Sequence, residues 1–153
     1  MATLANLEVK QMEEHIAAGG FFSPFTDIFG NPQPAPKFQG DELDLIPDSN
    51  NPDAITTTDR VIMIKNSGNI TSSTITFFKL RPMLILVVGQ TDESDKTITD
   101  GLAVDIENYL RQTFSDGGCI ANIISSGVTG PFTQPDGRRA FEINVIVMFN
   151  IIR

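Results

Sequence analysis

The sequence predicts an α+β domain: one mixed or antiparallel sheet, two helices packed on it, and a long proline-rich loop. Three observations predict it. Phe141, Ile143, Val145, Val147, Phe149 and Ile151 fall on every second residue of the C-terminal segment. Successive side chains of an extended chain point to opposite faces, so these six line one face of a long strand. The opposite face carries Ala140, Glu142, Asn144, Ile146, Met148, Asn150 and Ile152, a mixed and half-apolar set. The run Pro82-Met-Leu-Ile-Leu-Val-Val-Gly89 is apolar on both faces, as an interior strand is. Two further segments carry apolar residues at helical spacing, which supplies a helical layer for the sheet.

The first helix is expected over residues 3–18. Leu4, Leu7, Met12 and Ile16 form its stripe, Thr3 its N-cap, and Gly19-Gly20 its stop. His15 falls in the last turn, where a helix-end or surface role outweighs a ligand role. Residues 21–59 hold Pro24, Pro32, Pro34, Pro36, Pro47 and Pro52, with Gly30 and Gly40. Proline fixes φ and removes a donor, so no long helix or central strand fits. Yet Phe21, Phe22, Phe25, Ile28, Phe29, Phe38, Leu43, Leu45 and Ile46 also lie here. A free linker is poor in such residues, so the segment is expected to dock, on its own domain or on a neighbour.

A short strand follows at 60–65, then a turn at Asn66-Ser67-Gly68-Asn69. Residues 73–80 and 82–88 form two extended runs or one strand interrupted at Arg81-Pro82, with Pro82 suited to a first strand position. The second helix is expected over 96–114, with a stripe of Ile98, Leu102, Ile106, Tyr109, Leu110 and Thr113 and a cap at Ser94 or Asp95. Gly101 interrupts it and suggests close packing on the sheet. A strand is expected at 119–125, a connection with Gly130-Pro131 and a Pro135-Asp136-Gly137 turn at 126–138, and then the terminal strand, antiparallel to the one before.

A chain of 153 residues fits one domain with a sizeable core. No apolar run approaches the ~20 residues of a membrane-spanning helix, and the N-terminus lacks the pattern of a signal peptide. Synthesis in the cytoplasm is the expectation. The net charge is −8, and the eleven Lys and Arg are scattered apart from Arg138-Arg139. Gripping polyanionic DNA or an anionic membrane requires a basic patch, so neither is expected. An acidic surface lets DNA pass without sticking.

No constellation of catalytic residues emerges. Cys119 has no base at hand, since the only histidine is His15 on another element; a small buried residue near a strand is the better reading. Asp41, Glu42, Asp44, Asp48 and Asp53 cluster in the long loop without the alternation of a calcium-binding loop. Residues 125–130 lack the Gly-Lys-Ser/Thr of a phosphate loop and the spacing of a nucleophile elbow. Asp105 and Glu107 lie two apart on a helix and do not share a face. No catalytic residue, metal ligand or cofactor is assigned.

One pattern remains. Arg60-Val-Ile-Met-Ile-Lys-Asn-Ser-Gly68 is followed by Leu80-Arg-Pro-Met-Leu-Ile-Leu-Val-Val-Gly89, an amphipathic helix, Gly130-Pro131, the Asp136-Gly-Arg-Arg-Ala-Phe turn and a terminal alternating strand. Residues 60–153 resemble the tail terminator proteins of long-tailed bacteriophages, the group that includes the lambda-type minor tail protein U. The segment 21–59 departs from the shorter members. The resemblance implies a structural virion protein without turnover. Such proteins form a hexameric ring on the last ring of the tail tube, end its polymerisation and present a surface to head-completion or neck proteins. They assemble in the host cytoplasm, sit at the head-proximal end of the tail, and let DNA pass through the lumen. The candidate interface residues are Phe21, Phe22, Phe25, Ile28, Phe29 and Phe38 of the loop, read as an arm, together with Arg81, Arg138 and Arg139 of the family-like stretches. Another neck protein, such as a head-completion protein or tube subunit, is the alternative, and a small acidic hydrolase or metal-binding domain is a more distant one.

Overall fold

A computed structural model describes residues 4–40, 58–67, 71–72 and 78–150. In chain order the described elements are α1 (Leu4–Ala18), β1 (Phe25–Thr26), β2 (Pro32–Gln33), β3 (Lys37–Gln39), β4 (Val61–Asn66), β5 (Thr71–Ser72), β6 (Phe78–Val88), α2 (Asp95–Gln112), β7 (Ile120–Thr133) and β8 (Arg139–Asn150). β1 and β2 make a small antiparallel pair. The main sheet runs β3-β4-β6-β8-β7, with β5 paired to one end of β6. Among the described residues only the β3–β4 pairing is parallel, so the sheet is mixed and the fold is α+β.

The alternation in β8 places it at the centre of the sheet, between β6 and β7. Phe141, Ile143, Val145, Val147 and Phe149 are buried on the inner face with Met83, Ile85 and Val87 of β6 and Ile62 and Ile64 of β4. Both helices lie on that face. α1 supplies Val9, Met12 and Ile16, and α2 supplies Leu102, Ala103, Ile106 and Leu110. The α1 stripe is rotated from the expected one. Leu7 is exposed, and Glu8 and His15 are buried instead. Glu8 accepts from Arg81 Nε at 2.6 Å and pairs with Lys79 at 2.7 Å, so the helix docks partly through charge. Gly20, at φ +85°, ends α1 in the left-handed region that glycine adopts without strain.

Two expectations are corrected in the sheet. Pro82 lies inside β6, paired with Ile146 of β8. Its carbonyl accepts from Ser67 N at 3.0 Å on the β4 side. A strand residue presents its N and O to the same side, so the missing N–H falls where β4 ends at Asn66↔Met83, before β5 begins at Thr71↔Leu80. A proline at that gap leaves no ladder bond unmade. The second correction concerns 126–133, which continue β7 rather than forming a connection. Register shifts at Ile120/Asn122, Ser125/Val128 and Thr129/Phe132 absorb the irregular residues, and the expected turn is confined to 134–138.

Candidate functional site

Residues 21–40 form an arm built from inward-facing rings. Phe21 stands edge-on to Tyr109 of α2, Phe22 edge-on to Phe38 of β3, and the Arg60 guanidinium lies over the Phe25 ring at 5.5 Å. Four of the candidate interface aromatics therefore pack within their own subunit. Ile28 and Phe29 are mostly exposed, although Ile28 keeps one edge toward α2. They occupy the tip between β1 and β2 and are 65% and 64% exposed.

The tip is held by one carboxylate. Asp27 Oδ1 accepts from the backbone N–H groups of Phe29 and Asn31, each at 2.9 Å, and Oδ2 accepts from Gln33 Nε2 at 2.7 Å. Gly30, at φ +83°, closes the turn. The Asn31 N–H leads the effects that hold the Asp27 carboxyl below the ordinary aspartate range; burial opposes it, and Gln33 and Phe29 reinforce it. Gln33 also accepts from Arg60 Nη1 at 2.9 Å, and Arg60 Nε donates to Asp95 Oδ1 at 2.9 Å. Asp95 Oδ2 accepts from Gln90 N at 2.6 Å and from Thr99 Oγ1 at 2.7 Å. A continuous polar relay thus ties the tip to the start of β4 and the first turn of α2. Arg60 and Asp95 are both buried, so the ion pair sits in low dielectric. Asp95 is not a cap of α2 but the counter-charge of Arg60. The relay also needs Gly89, where a Cβ would come within 2.5 Å of Asp95 Oδ2 and Thr99 Oγ1.

The arm lies over the helical layer. A Cβ on Gly101 of α2 would meet Ile28 Cγ2 at 3.7 Å, so this glycine faces the arm and not the sheet. A hollow between arm and helix is lined by Phe21, Phe25, Ile28, Ile98, Leu102 and Asp105.

The β7 side of the sheet's outer face is the second exposed apolar surface, whereas Val61, Met63, Val88 and Ala140 on the same face are buried. Pro82, Ile146 and Ile124 are direct cross-strand neighbours on β6, β8 and β7, and Phe132 lies opposite Ala140. Ile124 is 57% exposed, Phe132 44% and Ile146 43%. No described helix covers this face, because both helices share the inner one.

The remaining predicted residues lie elsewhere. Arg81 is not a surface residue: it points inward to Glu8 and is buried. Arg138 pairs with Asp136 in the β7–β8 turn, and Arg139 lies 4.0 Å from Glu93. His15 is buried rather than on the surface, and its Nε2 donates to the Thr113 carbonyl at 2.7 Å, joining the end of α1 to the end of α2. Tyr109 seals the same junction by donating to the His15 carbonyl, and burial pushes its phenol upward. Cys119 is half-buried beside β7. The acidic cluster of 41–53 lies outside the described residues. Among the described residues no group of three or more His, Cys, Asp and Glu side chains is placed to hold a metal, and no helix is long and apolar enough to cross a membrane. No protein-family model matches the chain, and no curated protein matches it in sequence.

Proposed function

We propose that the chain is a structural protein that assembles into a ring, and that this ring caps the tail tube of a long-tailed bacteriophage and joins it to the neck. The observation that carries the ring is the pair of exposed apolar surfaces on opposite layers of one small acidic domain. A head-to-tail ring requires two different patches per subunit, and the arm tip and the outer sheet face are two such patches. The assignment to a tail rests on the resemblance of residues 60–153 to tail terminator proteins. The stretches that carry it fold into β4, β6, α2, β7 and β8, the body of the sheet and one of its helices. The formal charge of −8 suits a lumen through which DNA slides.

Negative-stain imaging of the purified chain, alone and mixed with polymerising tube subunits of the same particle, tests the reading. Annular particles alone, and tubes of limited length capped at one end in the mixture, are expected. Unrestrained tube growth in the presence of excess chain would contradict the capping role.

A further inference from the structure

We infer that the hollow between the arm and α2 is an anchor pocket for an arginine side chain of a partner protein. The inference does not depend on ring formation; it rests on shape, charge and position. The hollow has a volume of ≈ 170 Å³. That is well above the ~10–15 Å³ that one water fills and below the ~300 Å³ at which pockets for drug-sized ligands begin, so it suits one long side chain. One wall is a face of α2, where Ile98, Gly101, Leu102 and Asp105 recur at helical spacing. The other is the arm, with the rings of Phe21 and Phe25. Gly101 leaves the α2 wall bare: even an added Cβ would stand 3.7 Å from its nearest neighbour, Ile28 Cγ2. The arm wall is held by Asp27, Gln33 and Arg60 before any ligand arrives, which lowers the ordering cost of binding.

Charge selects the ligand. Asp27 and Asp105 line the hollow, and among the described residues no Lys, Arg or His does. Asp27 is engaged by its own loop, whereas Asp105 is exposed on α2 and enters no ion pair among the described residues. α1 ends at Ala18, and Gly19 and Gly20 line the hollow, so the negative end of that helix lies at its rim. The nearby Arg60 is neutralised by Asp95. An apolar interior with a carboxylate at the mouth takes an apolar stem that ends in a cation. Arginine meets it better than lysine, because a guanidinium is weakly hydrated, lies flat on aromatic rings and forks onto a carboxylate. The chain itself shows such a pairing in Arg60 over the Phe25 ring. The carrier is a protein surface, since the hollow adjoins Ile28 and Phe29, the most exposed large apolar side chains of the arm. A pocket for a cationic anchor beside exposed apolar groups is the layout of an interface hot spot.

NMR titration of the full, isotope-labelled chain tests it with three probes: N-acetyl-arginine amide, its neutral isostere N-acetyl-citrulline amide, and an end-blocked Leu-Arg-Leu peptide. The arginine amide should shift the backbone amides of Ile28, Gly101, Leu102 and Asp105 saturably, and the citrulline amide should bind roughly tenfold more weakly or not at all. The peptide should bind several-fold more tightly than the arginine amide, because its flanks meet Ile28 and Phe29. Asp105→Asn, a change at an exposed helix position, should weaken arginine binding by roughly fivefold. Gly101→Leu should fill the hollow and abolish it, with an unchanged circular dichroism spectrum. Should Gly101→Leu disturb the fold, Asp105→Asn decides alone. Equal binding of arginine and citrulline, shifts that persist in Asp105→Asn at wild-type strength, or no saturable shift would overturn the inference. A peptide that binds no more tightly than the arginine amide would overturn the protein partner and leave the hollow to a free small cation. None of these outcomes bears on whether the chain forms a ring.

Discussion

Replacing Asp95 with Ala should be among the most damaging single changes in the chain. The substitution removes the acceptor of Arg60 Nε, Gln90 N and Thr99 Oγ1 in one step. Arg60 is 3% exposed, so its guanidinium would be left buried with its counter-charge gone. Breaking a buried pair in this way costs about 3–5 kcal/mol. The whole stability of a domain this size is about 5–15 kcal/mol, so the variant should fold but melt early. At about 2–4 °C per kcal/mol for chains of this length, the midpoint falls by roughly 10 °C. Thermal and urea denaturation followed by circular dichroism measure the loss. A double variant, Arg60→Met with Asp95→Leu, should recover the part due to the unpaired charge and not the part due to Gln90 N and Thr99 Oγ1, which stay without their acceptor. A loss below about 1 kcal/mol for Asp95→Ala would refute the reasoning. It would mean that the pair behaves as a solvated surface bridge and that the relay does not anchor the arm.

Three further outcomes are expected. Val147→Asp places an unpaired carboxylate on the inner face of the central strand, where Val147 is fully buried, and should cost several kcal/mol in urea denaturation. Gly101→Ala should stabilise by up to about 1 kcal/mol in thermal melts, because the new Cβ meets only Ile28 at ordinary contact distance and the helix interior loses a glycine. The arm should loosen in acid: the folded Asp27 value lies below the unfolded one, so its stabilisation is complete at neutral pH and fades as pH falls below the ordinary aspartate range. NMR titration of the Phe29 and Asn31 amides checks this, and Asp27→Asn should abolish the acid-dependent step.

The body of the fold was legible because its signals are periodic. Strict alternation identified β8 and its buried face, and the unbroken apolar run identified β6 as interior. Parity could also have placed Arg81. It shares the alternation of Met83, Ile85 and Val87, which sends it inward; a charged residue in that register calls for a partner such as Glu8. The extent of β7 was hidden by Gly127, Gly130 and Pro131, residues that read as a turn and are accommodated by register shifts. The arm was legible only as a docked segment. Its interior is organised by Asp27, Gln33, Arg60 and Asp95, whose pairings span up to 35 residues of sequence and leave no local period. The aromatic content that marked the arm as an interface is mostly spent on its own subunit, at Tyr109, Phe38 and Arg60. What remains exposed is the pair Ile28 and Phe29, at a tip whose short Asp27-to-Gly30 turn was the only local hint.

The central claim is that this chain closes into a ring through two unlike apolar surfaces. Sedimentation velocity of the wild-type chain over a wide concentration range tests it most directly. A discrete closed species, hexameric by the resemblance, should grow with concentration at the expense of monomer, with few intermediates. A single monomeric boundary at every concentration, unchanged by adding the tube subunit, would contradict it.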